Sequence, residues 1–499
     1  MSHWIMLPFL LPLLLGAGLA WLDDGRQQLQ RRLSLLGSLL LLFVSLVLLG
    51  DAAQGGVQVY SMGNWPAPFG IVLVLDRLSA LLVLTTAVLA MLVNLYACSG
   101  DDGRGRYFHA LFHFQVAGIN GAFLTGDLFN LFVCFEILLI ASYALLLHGS
   151  GRERLRSAVH YVVLNLIGST LFLLGAGLVY GISGTLNMAD IARFVQQAEG
   201  DSLYLMQAAG WVLILVFGLK AAFLPLHFWL PRAYASATAP VAALFAIMTK
   251  VGLYAILRLV TLIFAGEPGA AAALNLDLLF AIALLTLLLG AMGAFAADTL
   301  PAMLAWLVLV SVGTLLAGIS LASEQAITAS LYYLLHSTWG IAGMFLLADL
   351  IARQRGRLAG RLRSGPLLIT PARLGLLFFV GAIATAGLPP FSGFVGKLGL
   401  LQSASGLHAV FMWSGVLTGS FLVILALSRS GSQLFWQQRA GVHDVTAEPL
   451  TPLRYWSALL LTGSAVLLLV AAGPVLDYCV AAAQQLLEPA LYLQQLGGN

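Results

Sequence analysis

Residues 218–258 read GLKAAFLPLHFWLPRAYASATAPVAALFAIMTKVGLYAILR. Two lysines, Lys220 and Lys250, stand in runs that are otherwise apolar, and Pro225 and Pro231 interrupt the first run. About 20 apolar residues are enough for a helix to cross a bilayer. Proline removes a rung of the backbone ladder, and non-helical backbone at membrane depth survives only where protein or water surrounds it. The stretch therefore reads as two membrane-crossing helices, the first of them broken beside an internal path. Residues 387–397, GLPPFSGFVGK, follow the same logic: Pro389 and Pro390 stand just ahead of Lys397.

The rest of the chain matches this reading. Of 499 residues, 60% are hydrophobic and 9% charged, and the mean hydropathy is +0.94. Soluble domains carry about 25% charged residues, so an ordinary soluble enzyme is excluded. Apolar runs of spanning length recur about fourteen times, from 4–22 to 455–475. The first run lacks a basic n-region before it and reads as a retained helix rather than a signal peptide. Cys98, Cys134 and Cys479 are far apart, which argues against a disulfide framework, an iron–sulfur cluster or a structural zinc. No Gly-rich nucleotide loop followed by Lys-Ser/Thr is present, which argues against ATP-driven transport.

Arginines set the expected orientation. Arg26, Arg31, Arg32, Arg104, Arg106, Arg152, Arg154, Arg156 and Arg232 fall in alternate loops, followed by Arg353 to Arg363 and then Arg429, Arg439 and Arg454. The intervening loops are nearly free of base, so both termini are expected on the non-cytoplasmic side. The net charge of +3 is a topology signal and not a nucleic-acid footprint. Residues 187–198 read as a short helix lying on the membrane surface, with Met188, Ile191, Phe194 and Val195 at helical spacing.

The 24 basic residues include only three lysines, and all three lie inside apolar spans. A lysine at mid-membrane costs roughly 2.5–3.5 kcal/mol. Arginine keeps its charge whatever surrounds it, whereas lysine gives up a proton when desolvated, and that is the property a proton relay needs. Glu136 sits mid-span in FVCFEILL and requires a partner. His336, deep in the eleventh span, is equally suited to proton transfer and to a hydrogen-bonded core role. Asp76, Asp127, Asp298 and Asp349 fall near span ends, where water is the expected partner. His109 and His113 are spaced i,i+4, with no third metal ligand evident from the sequence, and His227 stands at the first break.

The fold expected is an all-α polytopic membrane protein of about 14 transmembrane helices. Two inverted five-helix repeats (spans 4–8 and 9–13) place the broken helices 7 and 12 at corresponding positions. The expected division is 1–106 for an N-terminal three-helix segment, 107–263 and 276–430 for the repeats, and 431–499 for a C-terminal helix and tail.

The stretches GNWPAPFGIVLVLDRLSALL (63–82), TGDLFNLFVCFEILLIASYALL (125–146), 218–258 and 387–397 resemble the antiporter-like subunits shared by Mrp-type (Mnh, Pha) Na⁺/H⁺ antiporters and respiratory complex I. Within that family the D-subunit branch is the most similar, and the resemblance covers essentially the whole chain. It implies that Glu136 and Lys220 form a pair and that Lys250, His336 and Lys397 continue a proton relay. It also marks two departures: Ser311 stands where complex I relatives often carry histidine, and Ile341 where several carry lysine. The function implied is that of a proton-conducting subunit of a multi-subunit cation/proton antiporter. Such a subunit would move H⁺ in exchange for Na⁺, K⁺ or Li⁺ and assemble with the other Mrp subunits in the cell (inner) membrane. No cofactor, redox centre or nucleic-acid partner is implied. The alternative is a proton-pumping membrane subunit of NADH:quinone oxidoreductase or of a membrane-bound hydrogenase, which neighbouring genes would distinguish. A stand-alone solute transporter leaves the buried charges unexplained.

Overall fold

The computed structural model of the chain describes residues 3–22, 24–65, 67, 69–265, 274–438 and 446–496; Arg439 lies outside them. A 3₁₀ turn, His3–Met6, leads into α1 (Leu7–Ala20) and α2 (Gln27–Gln54). On α2, Ser34, Ser38, Leu41, Val44, Ser45 and Leu48 form the buried seam, while Leu36, Leu39, Phe43 and Leu46 are exposed. The serines all lie in the seam with part of the apolar residues, and the outward face is bulky and apolar, as in a helix solvated by lipid. A hairpin follows that the apolar-run reading passed over: β1 (Gln58–Ser61) pairs antiparallel with β2 (Val72–Leu75), Gln58 opposite Leu75. α3 (Arg77–Ala97) starts at a capping box in which Asp76 accepts from Ser79 N–H, and Asp76 N–H donates to Ser79 Oγ.

Next come α4 (Phe108–Leu124), α5 (Leu128–Leu147), α6 (Arg152–Ser183), α7 (Met188–Gln197) and α8 (Gly200–Ala221). α9 (Trp229–Ser236), α10 (Ala239–Phe245) and α11 (Met248–Arg258) complete the first half. The second half holds α12 (Leu276–Ala296), α13 (Leu300–Ser320), α14 (Glu324–Gln354), α15 (Pro371–Ala386), α16 (Ser392–Ser403) and α17 (Gly406–Gly431). α18 (Pro452–Val470), α19 (Ala472–Leu487) and α20 (Pro489–Leu496) close the chain, so the residues expected as a tail are helical.

Among the described residues, twelve helical segments are long and apolar enough to span a membrane. The 17-residue α4 and the half-helices α15 and α16 stand where two further spans are expected. The most apolar window of the α10–α11 segment is 100% buried, and those of α13 and α14 are 89% buried, against 39% for α2, α6 and the α17 segment. The centre of the molecule is therefore α10–α11, α13 and α14, and the periphery faces the surroundings.

α3 separates two faces of different chemistry. At its end Asp101 meets Arg104 (2.9 Å), Arg353 (2.8 Å) and Arg454 (3.4 Å). Asp102 accepts from Arg31 at 2.6 and 2.8 Å and from His109 at 3.1 Å. Burial pushes the Asp101 carboxyl upward, as does the Asp349 charge, against its arginines. Burial also works against the Asp102 carboxylate, but His109 and Arg31 hold its pKa below the usual range. The arginine-bearing loops thus converge on one face. On the other, Asp76 pairs with Arg258, whose guanidinium lies over Tyr254 and Tyr492 of α20.

Water is the partner expected for the span-end acids, but of the four only Asp298 is exposed. Asp76 is 2% exposed, and Asp127 is buried and caps α5. Asp349 is held by Arg353 and Tyr96. The hairpin, the C-terminal helices and the arginine loops cover these span ends. α7 departs from expectation in the same way. Its buried side (Met188, Ile191, Val195) packs on a π-turn at Leu259–Ile263 and on α20 rather than on a bare lipid surface.

Candidate functional site

Two helix breaks organise the buried charges. α8 ends with Ala222 in the left-handed region (φ +62°), where Ala222 N–H donates to Leu219 O and Phe223 N–H to Gly218 O. α15 ends with Gly387 (φ +82°), where Gly387 N–H donates to Ala384 O and Leu388 N–H to Ile383 O. Both are the same double-bonded C-cap, one at Ala222 and one at Gly387. Lys220 lies in the last turn before the first break, and Lys397 lies within α16 after the second.

Lys220 is 4% exposed. Its Nζ donates to Asn165 O and to Ser169 Oγ, both on α6 and both at 3.2 Å. The Ser169 hydroxyl donates in turn to the Glu136 carboxylate, with Asn165 O as a second acceptor. The expected ion pair is therefore a three-membered chain, Lys220–Ser169–Glu136, because a serine fills the gap between α5 and α8. A hydroxyl that accepts from an ammonium and donates to a carboxylate is a proton wire in miniature. Glu136 is half-buried, on the outward side of α5 that also exposes Val133 and Ile140.

Lys250, fully buried at the centre, donates to Ser311 Oγ at 3.1 Å. The departure from histidine at that position thus places a hydroxyl directly on the lysine. An ammonium has three donors, and Ser311 is the single partner seen for it among the described residues. Beyond it, Leu307, Val310, Tyr333, His336, Ser337, Ile341 and Thr385 line a cavity of about 10 Å³, which is room for about one water. Ile341, the second departure, is part of that wall. His336 Nδ1 lies 2.8 Å from Ser392 Oγ at the start of α16. A Cβ on Gly393 would come within 2.7 Å of His336 Nε2 and closer still to Ala384 O, so only glycine lets α16 approach this closely. Lys397 reaches back across the break, donating to Ala386 O at 2.8 Å and to Ser420 Oγ of α17 at 3.0 Å. The carbonyl end of a half-helix carries partial negative charge and suits a cation.

The structure brings these residues into three stations rather than one unbroken chain: Glu136–Ser169–Lys220, Lys250–Ser311, and Ser392–His336 with Lys397–Ser420. No direct hydrogen bond joins the stations among the described residues. Ser169, Ser392, Ser420 and Asn165 escape sequence reading. The available signal was a hydroxyl at a fixed helical offset within an apolar span, such as Asn165 and Ser169 one turn apart. His109 and His113 turn to different partners, Asp102 and Ser34. Cys98, Asp102 and His109 bring ligand atoms within 4.8 Å of one another, a set of three without His113, but Arg31 already occupies both Asp102 oxygens. His227 lies at the first break beside Trp306, its ring centroid 5.9 Å from the indole.

Comparison with known proteins agrees with this architecture. Residues 125–423 match the family described as NADH:quinone oxidoreductase/Mrp antiporter, transmembrane. The chain is 38% identical to the D subunit of a probable K⁺/H⁺ antiporter of Rhizobium meliloti (strain 1021), over 99% of this chain and 98% of that one. It is 36% identical to the D subunit of the Na⁺/H⁺ antiporter of Bacillus subtilis (strain 168), over 99% of each. A chain in the structure of the Mrp complex from Dietzia sp. DQ12-45-1b superposes with a TM-score of 0.90 at 27% identity, covering all of both chains. With its whole length shared with antiporter subunits and its matched segment holding both helix breaks, the chain belongs to the NADH:quinone oxidoreductase/Mrp antiporter transmembrane family.

Proposed function

We propose that this chain is the proton-conducting subunit of a multi-subunit monovalent cation/proton antiporter. It is a secondary transporter component without a redox centre, and it works in a hetero-oligomer with other Mrp-type subunits in the cell membrane. Relatives named as K⁺/H⁺ and Na⁺/H⁺ antiporter subunits support the exchange of Na⁺ or K⁺ for H⁺. The observation that carries the reading is the pairing of each buried lysine with a serine hydroxyl, Lys220 and Lys397 beside the two helix breaks and Lys250 on α11. A fixed ion pair needs a carboxylate, whereas a hydroxyl can accept a proton from an ammonium while giving up its own to the next acceptor. Glu136 takes or delivers the proton at one end through Ser169. Lys250 passes it towards His336, beside which a small cavity has room for a water, and Lys397 holds it at the other end.

The segments 107–263 and 276–430 act as the two repeats, flanked by 1–106 and 431–499. The convergence of the arginine loops supports a cytoplasmic arginine face, with both termini on the opposite side. The reading is tested by Glu136→Gln in the assembled complex. Exchange measured as cation-driven collapse of a pH gradient in vesicles should fall at least about 100-fold, while assembly on native gels is unchanged. Wild-type exchange by the Gln variant would make the chain Lys220–Ser169–Glu136 structural and refute the relay.

A further inference from the structure

On the arginine-bearing face a cavity of about 880 Å³ opens between α6, α9 and α13, well within the size of a small-molecule site. Most arginines of this face are already engaged. Arg31, Arg104, Arg353 and Arg454 pair with carboxylates. Arg154 bonds to the carbonyls of Ser236, His148 and Ser150, and thereby fixes the start of α6 against the end of α9. Arg156 and Arg232 differ: both line the cavity, both are exposed, and neither guanidinium has a hydrogen-bond or ion-pair partner among the described residues. His160 and His227 line it as well, and Nδ1 of His227, a residue 7% exposed, is buried without a partner. One acid, Glu153, lies at the rim and offsets part of this charge.

The rest of the wall is apolar and open to the side. Phe228 is 67% exposed, and Trp306 lines the cavity. Along α6, round the helix from the cavity-lining Arg156 and His160, Leu155, Val159 and Val163 are 57%, 54% and 50% exposed and form an outward apolar stripe. A site for a free phosphate has no use for such a stripe, whereas a lipid needs both halves: cations for its phosphate and an apolar track for its chains. Basic pockets between membrane helices are a recognised setting for anionic headgroups. We propose that this cavity binds the headgroup of an anionic phospholipid, its phosphate between Arg156 and Arg232 and its acyl chains along α6. Lipid binding there is independent of the proton relay and stands or falls apart from it.

The test is native mass spectrometry of the purified complex titrated with phosphatidylglycerol or phosphatidylcholine. Retention of phosphatidylglycerol should fall about 30-fold in the double variant Arg156→Gln/Arg232→Gln, with phosphatidylcholine unchanged. Undiminished phosphatidylglycerol retention would overturn the proposal. Displacement of the lipid by free glycerol phosphate would overturn the lipid assignment in favour of a soluble anion. Should the double variant fail to assemble, brominated lipids serve with both arginines in place. Brominated phosphatidylglycerol should quench tryptophan emission more than brominated phosphatidylcholine, and Trp306→Phe should remove that excess. Equal quenching by the two lipids would contradict the site.

Discussion

Ser169 shows how far single residues could be read in advance. Lys220, Lys250, Lys397 and Glu136 announce themselves in the sequence because a charge inside an apolar run costs several kcal/mol and demands a reason. A serine in the same run costs little, since its hydroxyl can bond to the carbonyl one turn back, as Ser169 does to Asn165 O. Its second role, between Lys220 and Glu136, is a tertiary fact with no local signature. Ser311 shows the converse. The resemblance marks it only as a departure from histidine, yet it is the hydrogen-bond partner of Lys250. Removing the Ser169 hydroxyl separates Lys220 from Glu136. Hydrogen bonds to charged groups contribute about 1.5–3 kcal/mol, so Ser169→Ala should slow exchange by about tenfold or more, and Ser169→Thr should restore most of it. Vesicle exchange rates for both variants check this, and a fully active Ala variant would remove Ser169 from the path.

The two broken helices were legible as elements because proline and glycine punctuate them. Their shared C-cap geometry was not, because one break uses Ala222 where the other uses Gly387 at the left-handed position. The asymmetry leads to a prediction. A non-glycine residue in that region costs about 1–2 kcal/mol, and a Cβ on Gly387 would lie 2.5 Å from Lys397 Cδ. Gly387→Ala should therefore displace Lys397 and abolish most exchange, whereas Ala222→Gly should leave exchange and thermal stability near wild type. Comparing the two variants by exchange rate and melting temperature checks the pair. The hairpin at 58–75 and the docked face of α7 stayed hidden for a different reason. Each is short, and each is defined by what covers it: α3, α4 and α20 in one case, the π-turn and α20 in the other.

Over the whole molecule, charge is sorted by chemical type. Arginine holds the faces and lysine holds the interior, and this contrast made the membrane class and the relay candidates readable from composition. The pairing of the span-end acids was not readable, because Asp76 and Arg258 are 182 positions apart in the sequence. The gathering of the arginine loops around Asp101 and Asp102 also fixes an expectation for the assembled protein in its membrane. Reporter fusions after Arg156 and after Arg363 should read cytoplasmic, and one near Gln196 should read external. A cytoplasmic result at Gln196 would undo the proposed orientation and the inversion of the two repeats.

The central claim is that the buried lysines carry protons rather than supply a fixed field, and Lys397 tests it most directly. Arginine retains the charge and the hydrogen-bond donors but does not give up its proton. The measurement is cation-driven collapse of a pH gradient in vesicles holding the assembled complex, with Lys397→Arg and Lys397→Ala compared to wild type. Proton carriage predicts that both variants assemble and that both lose turnover by at least about 100-fold. Near-normal exchange by Lys397→Arg, with loss only in Lys397→Ala, would contradict it and leave Lys397 a stationary charge.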